Sequence, residues 1–240
     1  EIDNKKMKFT RKNFNDLKKN VVPLDFSIKR MNKVKLSERT KVYFNNDVSV
    51  IKDDKVIKIN FLNEQGRVKI IGGTLEKYKF IVSGENQNKN PWKKDLMNKD
   101  NVIPFCLVFY DTKLIEVQLS VKNLKGSCYA ALKFIKSVGS IKKIDISNVY
   151  GDALQTNLSQ LNFSEMIINE VEDDCINFET GNYVINNIKL SNCWDKSIQL
   201  RNKSFLYVKN LEVKDSLYGP TIMNSSSLIG ENFNIKMMVK

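Results

Sequence analysis

The sequence predicts an all-β protein, a single-stranded right-handed parallel β-helix with a short N-terminal capping helix. Three observations predict it: a repeat of fixed length, period-two strands before the repeat starts, and an asparagine that closes several of those strands. A coil as short as this repeat cannot bury an apolar face alone, so neighbouring coils must stack to form a core. The repeat starts are GDALQ at 151–155, DDCIN at 173–177, DKSIQ at 195–199 and GPTIM at 219–223.

The spacing of these starts favours a solenoid. The first three lie 22 residues apart, and the fourth follows after 24 residues. In each start a small residue precedes an aliphatic one, as in Ala153–Leu154 and Cys175–Ile176. A β-sandwich would need hairpins, and no Asn-Gly or Asp-Gly pair separates paired strands in this sequence.

Short strands of alternating apolar and polar residues precede the repeat starts, as half-buried strands do. They are KIDISN at 143–148, EMIINE at 165–170, NIKLSN at 187–192 and YVKNLEVKD at 207–215. Asn148, Asn169 and Asn192 each close such a strand. Asparagine tolerates the left-handed backbone of a tight corner, so we expect these residues where two sheets meet, with ladders of hydrogen bonds between stacked asparagines.

The chain divides into two parts by regularity. Residues 101–240 carry the regular β-helix coils. Residues 1–100 are expected to form an N-terminal cap and irregular first coils, with a long polar loop near 85–101. A short helix over 11–20, capped by Thr10, would cover the end of the solenoid. No apolar run approaches the length of about 18 residues that a membrane span requires.

The net charge of +12 is concentrated in the first part, where 24 Lys and Arg face 13 Asp and Glu over residues 1–100. A basic surplus attracts polyanions, although coding bias toward Lys and Asn would explain the same composition. The sequence contains no known nucleic-acid-binding motif, and its aromatic residues do not interleave with the basic ones. An acidic polysaccharide is therefore the expected partner, and nucleic acid is disfavoured.

Four cysteines are present, at positions 106, 128, 175 and 193, and no histidine. None of them forms a CxxC pair, so zinc and Cys–His chemistry are disfavoured. We expect inert, buried thiols. A bridge between Cys175 and Cys193 on adjacent turns is the open alternative, and it would leave the redox compartment unsettled.

Four segments resemble right-handed β-helix repeats of the pectate-lyase-like superfamily. More narrowly, they are similar to the β-helix region of bacterial proteins that also carry a CotH-type spore-coat kinase domain. The segments are GDALQTNLS, EDDCINFETGNYVINN, CWDKSIQLRNKSFLYVKN and YGPTIMNSSSLIGENFNI. The resemblance is good over residues 101–240 and places Ser204 and Ser226 in Ser-bearing turns. The chain has no nucleotide-binding or kinase motif, so kinase activity does not carry over.

The resemblance implies a polysaccharide lyase, hydrolase, epimerase or binder that works in the extracellular space or the cell envelope. Such a fold does not by itself choose among these activities. Members without catalysis also occur in the superfamily. The choice must therefore come from the chemistry of a site.

Stacking at the 22-residue step brings acidic residues of adjacent coils about 4.8 Å apart. Two carboxylates at this distance raise each other's pKa unless a cation lies between them. Asp152, Asp174 and Lys196 form one column, and Gly151, Asp173 and Asp195 form its neighbour.

This cluster has three functional interpretations and one structural one. Paired carboxylates could act as general acid and base in glycoside hydrolysis. Asp173, Asp174 and Asp195 could bind calcium, as in pectate-type lyases, with Lys196 or Arg201 abstracting the proton beside a uronate carboxylate. The cluster could also bind neutral or cationic sugars without chemistry. In the structural interpretation, the aspartates cap turns by accepting hydrogen bonds from backbone N–H groups. The sequence indicates no other cofactor.

Three aromatic residues are candidates for sugar contact. Trp194 lies beside Asp195, and Tyr150 occupies the equivalent turn two coils earlier. Trp92 falls in the polar loop. Exposed aromatic rings stack on sugars, but large residues also pack on the flanks of solenoids.

Three hypotheses follow. The first is a polysaccharide-binding or scaffold module of the envelope or extracellular space, with an acidic glycan as ligand. The second is a β-helix polysaccharide lyase or glycoside hydrolase that uses the aspartate cluster. The third is a structural or partner-binding domain of a larger chain. The lack of histidine and of a complete catalytic triad favours the first over the second.

Overall fold

The computed structural model describes residues 31–84, 105–124 and 128–238. These residues form strands and turns without a helix, so none of them belongs to a helix that could cross a membrane. The predicted helix over 11–20 and the polar loop near 85–101 lie outside the described residues. The observed fold is therefore all-β over the part of the chain that is described.

The described residues contain sixteen strands, which all belong to one continuous hydrogen-bonded sheet that winds along the solenoid. They are β1 (Asn32–Lys35), β2 (Lys41–Phe44), β3 (Val48–Asp53), β4 (Val56–Phe61), β5 (Val68–Ile71), β6 (Thr74–Glu76), β7 (Lys79–Gly84), β8 (Phe105–Tyr110), β9 (Lys113–Lys122), β10 (Ala130–Ile135), β11 (Val138–Val149), β12 (Asp152–Val171), β13 (Ile176–Cys193), β14 (Ile198–Ser216), β15 (Thr221–Ile222) and β16 (Ser227–Met237).

The strands stack in parallel, coil upon coil, in a β-solenoid of about seven turns. Leu154 of β12 pairs with Ile176 of β13, and Ile176 pairs with Ile198 of β14. This register is the 22-residue step that the sequence predicts. The predicted parallel β-helix and its repeat are therefore confirmed, whereas the right-handed winding stays a prediction.

The first strands depart from this parallel order. β1 pairs with β2, β2 with β5 and β3 with β4 in the antiparallel sense. The turn between β3 and β4 consists of Asp54 and Lys55, and Asp54 has a φ of 48°. An aspartate tolerates this left-handed conformation, so a hairpin forms without the Asn-Gly or Asp-Gly pair that we required. The lack of these pairs argues against a β-sandwich, and it does not exclude a single hairpin of this kind.

The core is filled by side chains that stack along the solenoid axis. The rings of Phe80 and Phe109 lie 5.2 Å apart, and those of Phe109 and Phe134 lie 5.1 Å apart. Farther along, the rings of Phe178 and Tyr183 stack at 4.2 Å. The edge-to-face contact of Phe80 with Phe109 and the stacking of Phe109 on Phe134 join successive coils, whereas the Phe178–Tyr183 stack lies within one coil. Such aromatic contacts contribute beyond the apolar area that the rings bury.

The corners of the coils use residues in the left-handed backbone conformation. Asn148 and Asn192 have φ angles of 58° and 53°, as predicted, but the equivalent residue in the coil between them is Glu170 rather than Asn169. Asn169 lies one position earlier and accepts a hydrogen bond from Asn192 Nδ2 at 2.8 Å. Asn148 Nδ2 donates to Asn123 Oδ1 at 2.7 Å, so the predicted asparagine ladders are present.

A second corner carries the predicted serines. Ser204 follows two residues of positive φ, Asn202 and Lys203. The backbone N–H of Ser204 donates to Ser226 Oγ one coil later, at 3.1 Å. The Ser204 hydroxyl in turn donates to the carbonyl oxygen of Arg201 at 2.7 Å. Serine thus satisfies backbone groups that the corner would otherwise leave unpaired.

The cysteines form two disulfides, Cys106–Cys128 and Cys175–Cys193, each with its Cα atoms 5.5 Å apart. The prediction of inert thiols is therefore wrong, and the open alternative of a Cys175–Cys193 bridge is correct. Cys175 directly precedes β13 and Cys193 ends it, so this bridge closes one coil rather than joining two. A coil returns to its starting corner, which brings cysteines together that lie far apart in the sequence.

Candidate acidic corner

The corner before β12, β13 and β14 brings the predicted acidic columns together. The backbone N–H of Asp174 donates to Asp152 Oδ1 at 3.3 Å, and that of Lys196 donates to Asp174 Oδ1 at 3.0 Å. In the next column, the backbone N–H of Asp195 donates to the carbonyl oxygen of Asp173 at 3.3 Å. We call the group formed by Asp152, Asp173, Asp174, Asp195 and Lys196 the acidic corner.

Asp152 is a buried cap. Asp152 is only 5% exposed, and its Oδ1 accepts the hydrogen bond from the backbone N–H of Asp174 in the next coil. Its Oδ2 accepts hydrogen bonds from Gln155 Nε2 at 2.6 Å and from Asn177 Nδ2 at 3.2 Å. Burial raises the pKa of Asp152 to about 7. Both oxygens are thus engaged within the protein, as the turn-capping interpretation expects.

Lys196 forms ion pairs with two of the remaining carboxylates, those of Asp174 and Asp195. Oxygens of Asp173, Asp174 and Asp195 lie within 4.8 Å of one another. Lys196 Nζ lies 2.5 Å from Asp195 Oδ2 and 3.4 Å from Asp174 Oδ1. Burial raises the pKa of Asp173 and of Asp174. Burial alone would lower the pKa of Lys196, but its hydrogen bond to Asp195 and the two carboxylate charges raise that pKa above its usual value.

This arrangement does not fit a calcium ion well. Calcium takes six to eight oxygen ligands, and the lysine ammonium already lies among the carboxylates that would supply them. Asp174 Oδ1 also receives the backbone N–H of Lys196, which leaves that oxygen less free for a metal. A calcium ion would have to displace the ammonium of Lys196.

Two exposed aromatic residues border the acidic corner. Trp194 directly precedes Asp195 and is 60% exposed. Tyr218 forms a parallel bridge with Lys196, donates its backbone N–H to the Asp195 carbonyl oxygen at 2.9 Å, and is 53% exposed. Tyr150, by contrast, is buried, so it offers no ring face to a ligand.

Tyr218 is not among the residues that the sequence predicts for sugar contact. Trp92, which is among them, lies outside the described residues. Aligning the fourth repeat on GPTIM, at a step of 24 residues, does not show that Tyr218 continues the column of Lys196. Counting 22 residues from Lys196 leads directly to Tyr218. The 22-residue step of the earlier coils therefore predicts the position of Tyr218.

The outer face of β10, β12, β13 and β14 adds a row of polar residues next to the acidic corner. Lys133, Gln155, Asn177 and Gln199 pair in register along this row, which we call the polar row. Lys133 Nζ donates to Gln155 Oε1 at 3.1 Å and lies 3.8 Å from the centre of the Phe105 ring. Burial lowers the pKa of Lys133 to about 8.

The polar row was also missed, although its signal is present in the repeat starts. The fifth residue of GDALQ, DDCIN and DKSIQ is an amide each time, namely Gln155, Asn177 and Gln199. Among the described residues, Asn177 Oδ1 is buried without a hydrogen-bond partner. An amide at the same position of three successive coils places chemically like groups in a straight line.

Arg201 does not lie in the acidic corner. It pairs with Glu179 on the outer face of β14, two residues beyond Gln199. Glu179 accepts hydrogen bonds from Asn157 Nδ2 at 3.2 Å and from Asn202 Nδ2 at 2.6 Å. The Nε atom of Arg201 is buried and lacks a hydrogen-bond partner within the described part of the chain. Arg201 thus extends the polar row rather than the aspartate cluster.

A shallow groove of about 520 Å³ lies on another side of the last coils. Its floor carries a ladder in which Asn210 Nδ2 donates to Asn187 Oδ1 and Asn232 Nδ2 donates to Asn210 Oδ1, both at 2.8 Å. The groove also contains Glu212 and Phe233. It lies apart from the residues that the sequence singled out for chemistry.

Comparison with known proteins finds no matching family model, no matching curated protein and no matching solved structure.

Proposed function

We propose that this chain is a non-catalytic glycan-binding module that holds a polysaccharide at the acidic corner. The observation that carries the proposal is the position of two exposed aromatic rings, Trp194 and Tyr218, beside the Asp195–Lys196 ion pair. Aromatic faces stack on sugar rings, and carboxylate and ammonium groups hydrogen-bond to sugar hydroxyls. Stacked coils hold these groups at fixed spacing, which lowers the ordering cost of binding.

The charge of the corner constrains the ligand. Three partly exposed or buried carboxylates, those of Asp173, Asp174 and Asp195, surround one ammonium, that of Lys196. A surplus of negative charge repels uronates and favours neutral or amino-bearing sugars. The acidic glycan predicted from the net charge of +12 would have to contact basic residues away from this corner.

The enzymatic alternative rests on Asp152, whose pKa of about 7 would suit proton transfer near neutral pH. Its burial and its three hydrogen-bond donors favour a capping role instead. A general acid must reach the glycosidic oxygen, and this carboxyl group is closed off by its own donors. We therefore place binding ahead of lyase or hydrolase activity.

The proposed location is the extracellular space or the cell envelope. Two disulfides support it, because disulfides form and persist in oxidising compartments and are rare in the cytosol. A binding or scaffold module in such a compartment would meet polysaccharides directly.

The test is isothermal titration calorimetry against a neutral, an amino-bearing and a uronate polysaccharide, chosen after a glycan array. Trp194→Ala and Tyr218→Ala should each weaken binding about tenfold or more, since one ring stacked on a ligand contributes about 1–3 kcal/mol. Phe205→Ala is the matched control, because Phe205 is also an exposed aromatic residue but lies elsewhere on β14. Binding that is unchanged in both corner variants, or absent for all three polymers, would overturn the proposal.

A parallel assay addresses catalysis. The wild-type protein is incubated with the same polymers with and without calcium, and new reducing ends and unsaturated uronates are measured. The proposal expects neither product. Product that disappears in Asp152→Asn while the folded signal persists would establish the enzymatic alternative.

A further inference from the structure

Lys133 is a buried lysine of β10 to which glycan binding gives no role. Its Nζ atom lies over the ring of Phe105, which belongs to a cluster of buried apolar residues with Val108, Ala130 and Ile135. The ring face attracts an ammonium group, but burial prevails and lowers the pKa of Lys133 to about 8. A larger fraction of this side chain than of an exposed lysine is therefore a neutral, nucleophilic amine near neutral pH.

The side-chain amide of Gln155 lies between this amine and a carboxyl group. Lys133 Nζ donates to Gln155 Oε1 at 3.1 Å, and Gln155 Nε2 donates to Asp152 Oδ2 at 2.6 Å. Since a carbonyl bond measures about 1.23 Å, the amide carbon Cδ lies at most about 4.3 Å from the amine nitrogen. The pairing of Lys133 with Gln155 in the parallel register of β10 and β12 keeps the two side chains side by side.

Asp152 places an acid against the nitrogen of this amide. Its carboxyl group is buried and closed to a ligand, but its Oδ2 contacts Gln155 Nε2 directly. Burial raises the pKa of Asp152 to about 7, so the group is largely protonated below that pH. An amine on one side of an amide and a carboxylic acid on the other are a nucleophile and a general acid for breaking the amide bond.

We propose that Lys133 and Gln155 join in an intramolecular isopeptide bond, with Asp152 as the catalytic acid. The amine nitrogen of Lys133 attacks Cδ of Gln155 and forms a new C–N bond. The bond between Cδ and Nε2 breaks, and Nε2 leaves as ammonia with a proton from Asp152. The attacking nitrogen loses one proton, which restores the acid, so the reaction consumes no oxidant and no other reactant. Holding the groups in contact replaces an encounter in solution by a step within one molecule.

The bond is a covalent link between adjacent coils. It joins β10 to β12 across a separation of 22 residues, the same separation as in the Cys106–Cys128 disulfide. Closing such a loop limits the conformations of the unfolded chain. Unlike the disulfides, this link withstands reduction. The proposal is independent of glycan binding.

Mass spectrometry of the whole chain tests the proposal. After incubation for a day at a pH between the pKa values of Asp152 and Lys133, the wild type should lack the mass of one ammonia molecule. This deficit is counted relative to the sequence with both disulfides formed. After reduction, trypsin should not cleave at Lys133, and one branched peptide should contain both Lys133 and Gln155.

Variants identify the reacting groups. Lys133→Arg and Gln155→Glu should each have the full mass of their unlinked sequence. Lys136→Arg is the matched control, because Lys136 lies just beyond β10 and contacts Tyr110 instead, and it should keep the deficit and the branched peptide. Asp152→Asn should form the link about a hundredfold more slowly or not at all, as the loss of a general acid predicts.

The wild-type mass decides the proposal even where a variant does not fold. A wild type that keeps its full unlinked mass would overturn the proposal. The same holds for an ammonia deficit that persists in Lys133→Arg, or for a branched peptide that lacks Gln155. Linking at the wild-type rate in folded Asp152→Asn, with the fold verified by circular dichroism, would overturn the role of Asp152.

Discussion

Asp152 shows how a single residue links fold and electrostatics in this protein. Its carboxyl group caps the backbone of the following coil, and it is also bonded to the amides of Gln155 and Asn177. Burial makes the charged form unfavourable, which is why the pKa is raised to about 7. The hydrogen bonds from Gln155 and Asn177 lower the pKa, so burial rather than hydrogen bonding decides the protonation state of the group.

The free energy of unfolding should therefore depend on pH through Asp152. Between the ordinary aspartate pKa of 3.8 and about 7, the folded protein keeps a proton that the unfolded chain releases. The free energy of unfolding should thus fall as the pH rises through this window, by about 2–4 kcal/mol from this one group. Urea unfolding of the wild type and Asp152→Asn between pH 4 and pH 8 measures the contribution, because the variant should show a shallower fall.

Glu165→Gln is the control for this series. Glu165 forms a surface ion pair with Lys143 at 3.2 Å, and such pairs contribute little. Its pH profile should match that of the wild type. If Asp152→Asn and the wild type fall equally steeply between pH 4 and pH 7, then the buried carboxyl group is not the source of the dependence.

Among the elements, the three regular coils were predictable because equal spacing in the sequence becomes equal height in the solenoid. The amide at the fifth position of the first three repeat starts is equally legible in the sequence. The hairpin at Asp54 was not predictable from turn motifs, since an aspartate there takes the conformation that glycine usually provides. The disulfides depend on where each cysteine lies within its coil, and that position is known only once the corners are placed.

In one coil a glycine takes the position that a serine occupies in the neighbouring coils. Ser159 and Ser204 pair with Gly181 on either side, so the serine column is interrupted there. Tyr183 is buried, and its hydroxyl fills the space and donates toward the carbonyl oxygens of Glu179 and Thr180, each at 3.4 Å. A Cβ atom added at Gly181 would lie 2.2 Å from the backbone carbonyl oxygen of Ser159 and 2.5 Å from this hydroxyl. Gly181 and Tyr183 are thus a matched pair, because the neighbouring coils have serine and leucine at the two equivalent positions.

Gly181→Ser alone should lower the free energy of unfolding by about 1–3 kcal/mol, because it overpacks the corner against the Ser159 carbonyl oxygen and Tyr183. The double variant Gly181→Ser with Tyr183→Leu should recover the part of that loss that comes from the Tyr183 hydroxyl, since Leu161 and Leu206 occupy the equivalent positions in the adjacent coils. The part that comes from the Ser159 carbonyl oxygen should remain. Chemical denaturation of the single and double variants measures the coupling. A double variant no more stable than the sum of the two single changes would contradict the matched-pair interpretation.

In the whole molecule, the two disulfides and the hydrophobic core stabilise the same stack of coils. Cys106 and Cys175 precede core residues at equivalent positions of their coils, and both are buried. Closing a chain segment limits the conformations of the unfolded state, which raises stability. The bridges span 22 and 18 residues.

Replacing Cys175 and Cys193 together by alanine should lower the free energy of unfolding by about 3 kcal/mol, as expected for loops of this length. A reducing agent should lower the unfolding midpoint of the wild type and change the double variant less. Peptide mapping under non-reducing conditions identifies the pairs. Equal stability of the wild type and the double variant, or four free thiols, would contradict the assignment.

The central claim is that a polysaccharide lies against Trp194 at the acidic corner. The chain contains two tryptophans, so Trp92→Phe leaves Trp194 as the sole tryptophan emitter. Titrating this variant with the polysaccharide that it binds should shift and change the fluorescence of Trp194, because stacking on a sugar removes water from an exposed indole. The concentration dependence should match the calorimetric affinity. Binding that leaves the emission of Trp194 unchanged would contradict the account.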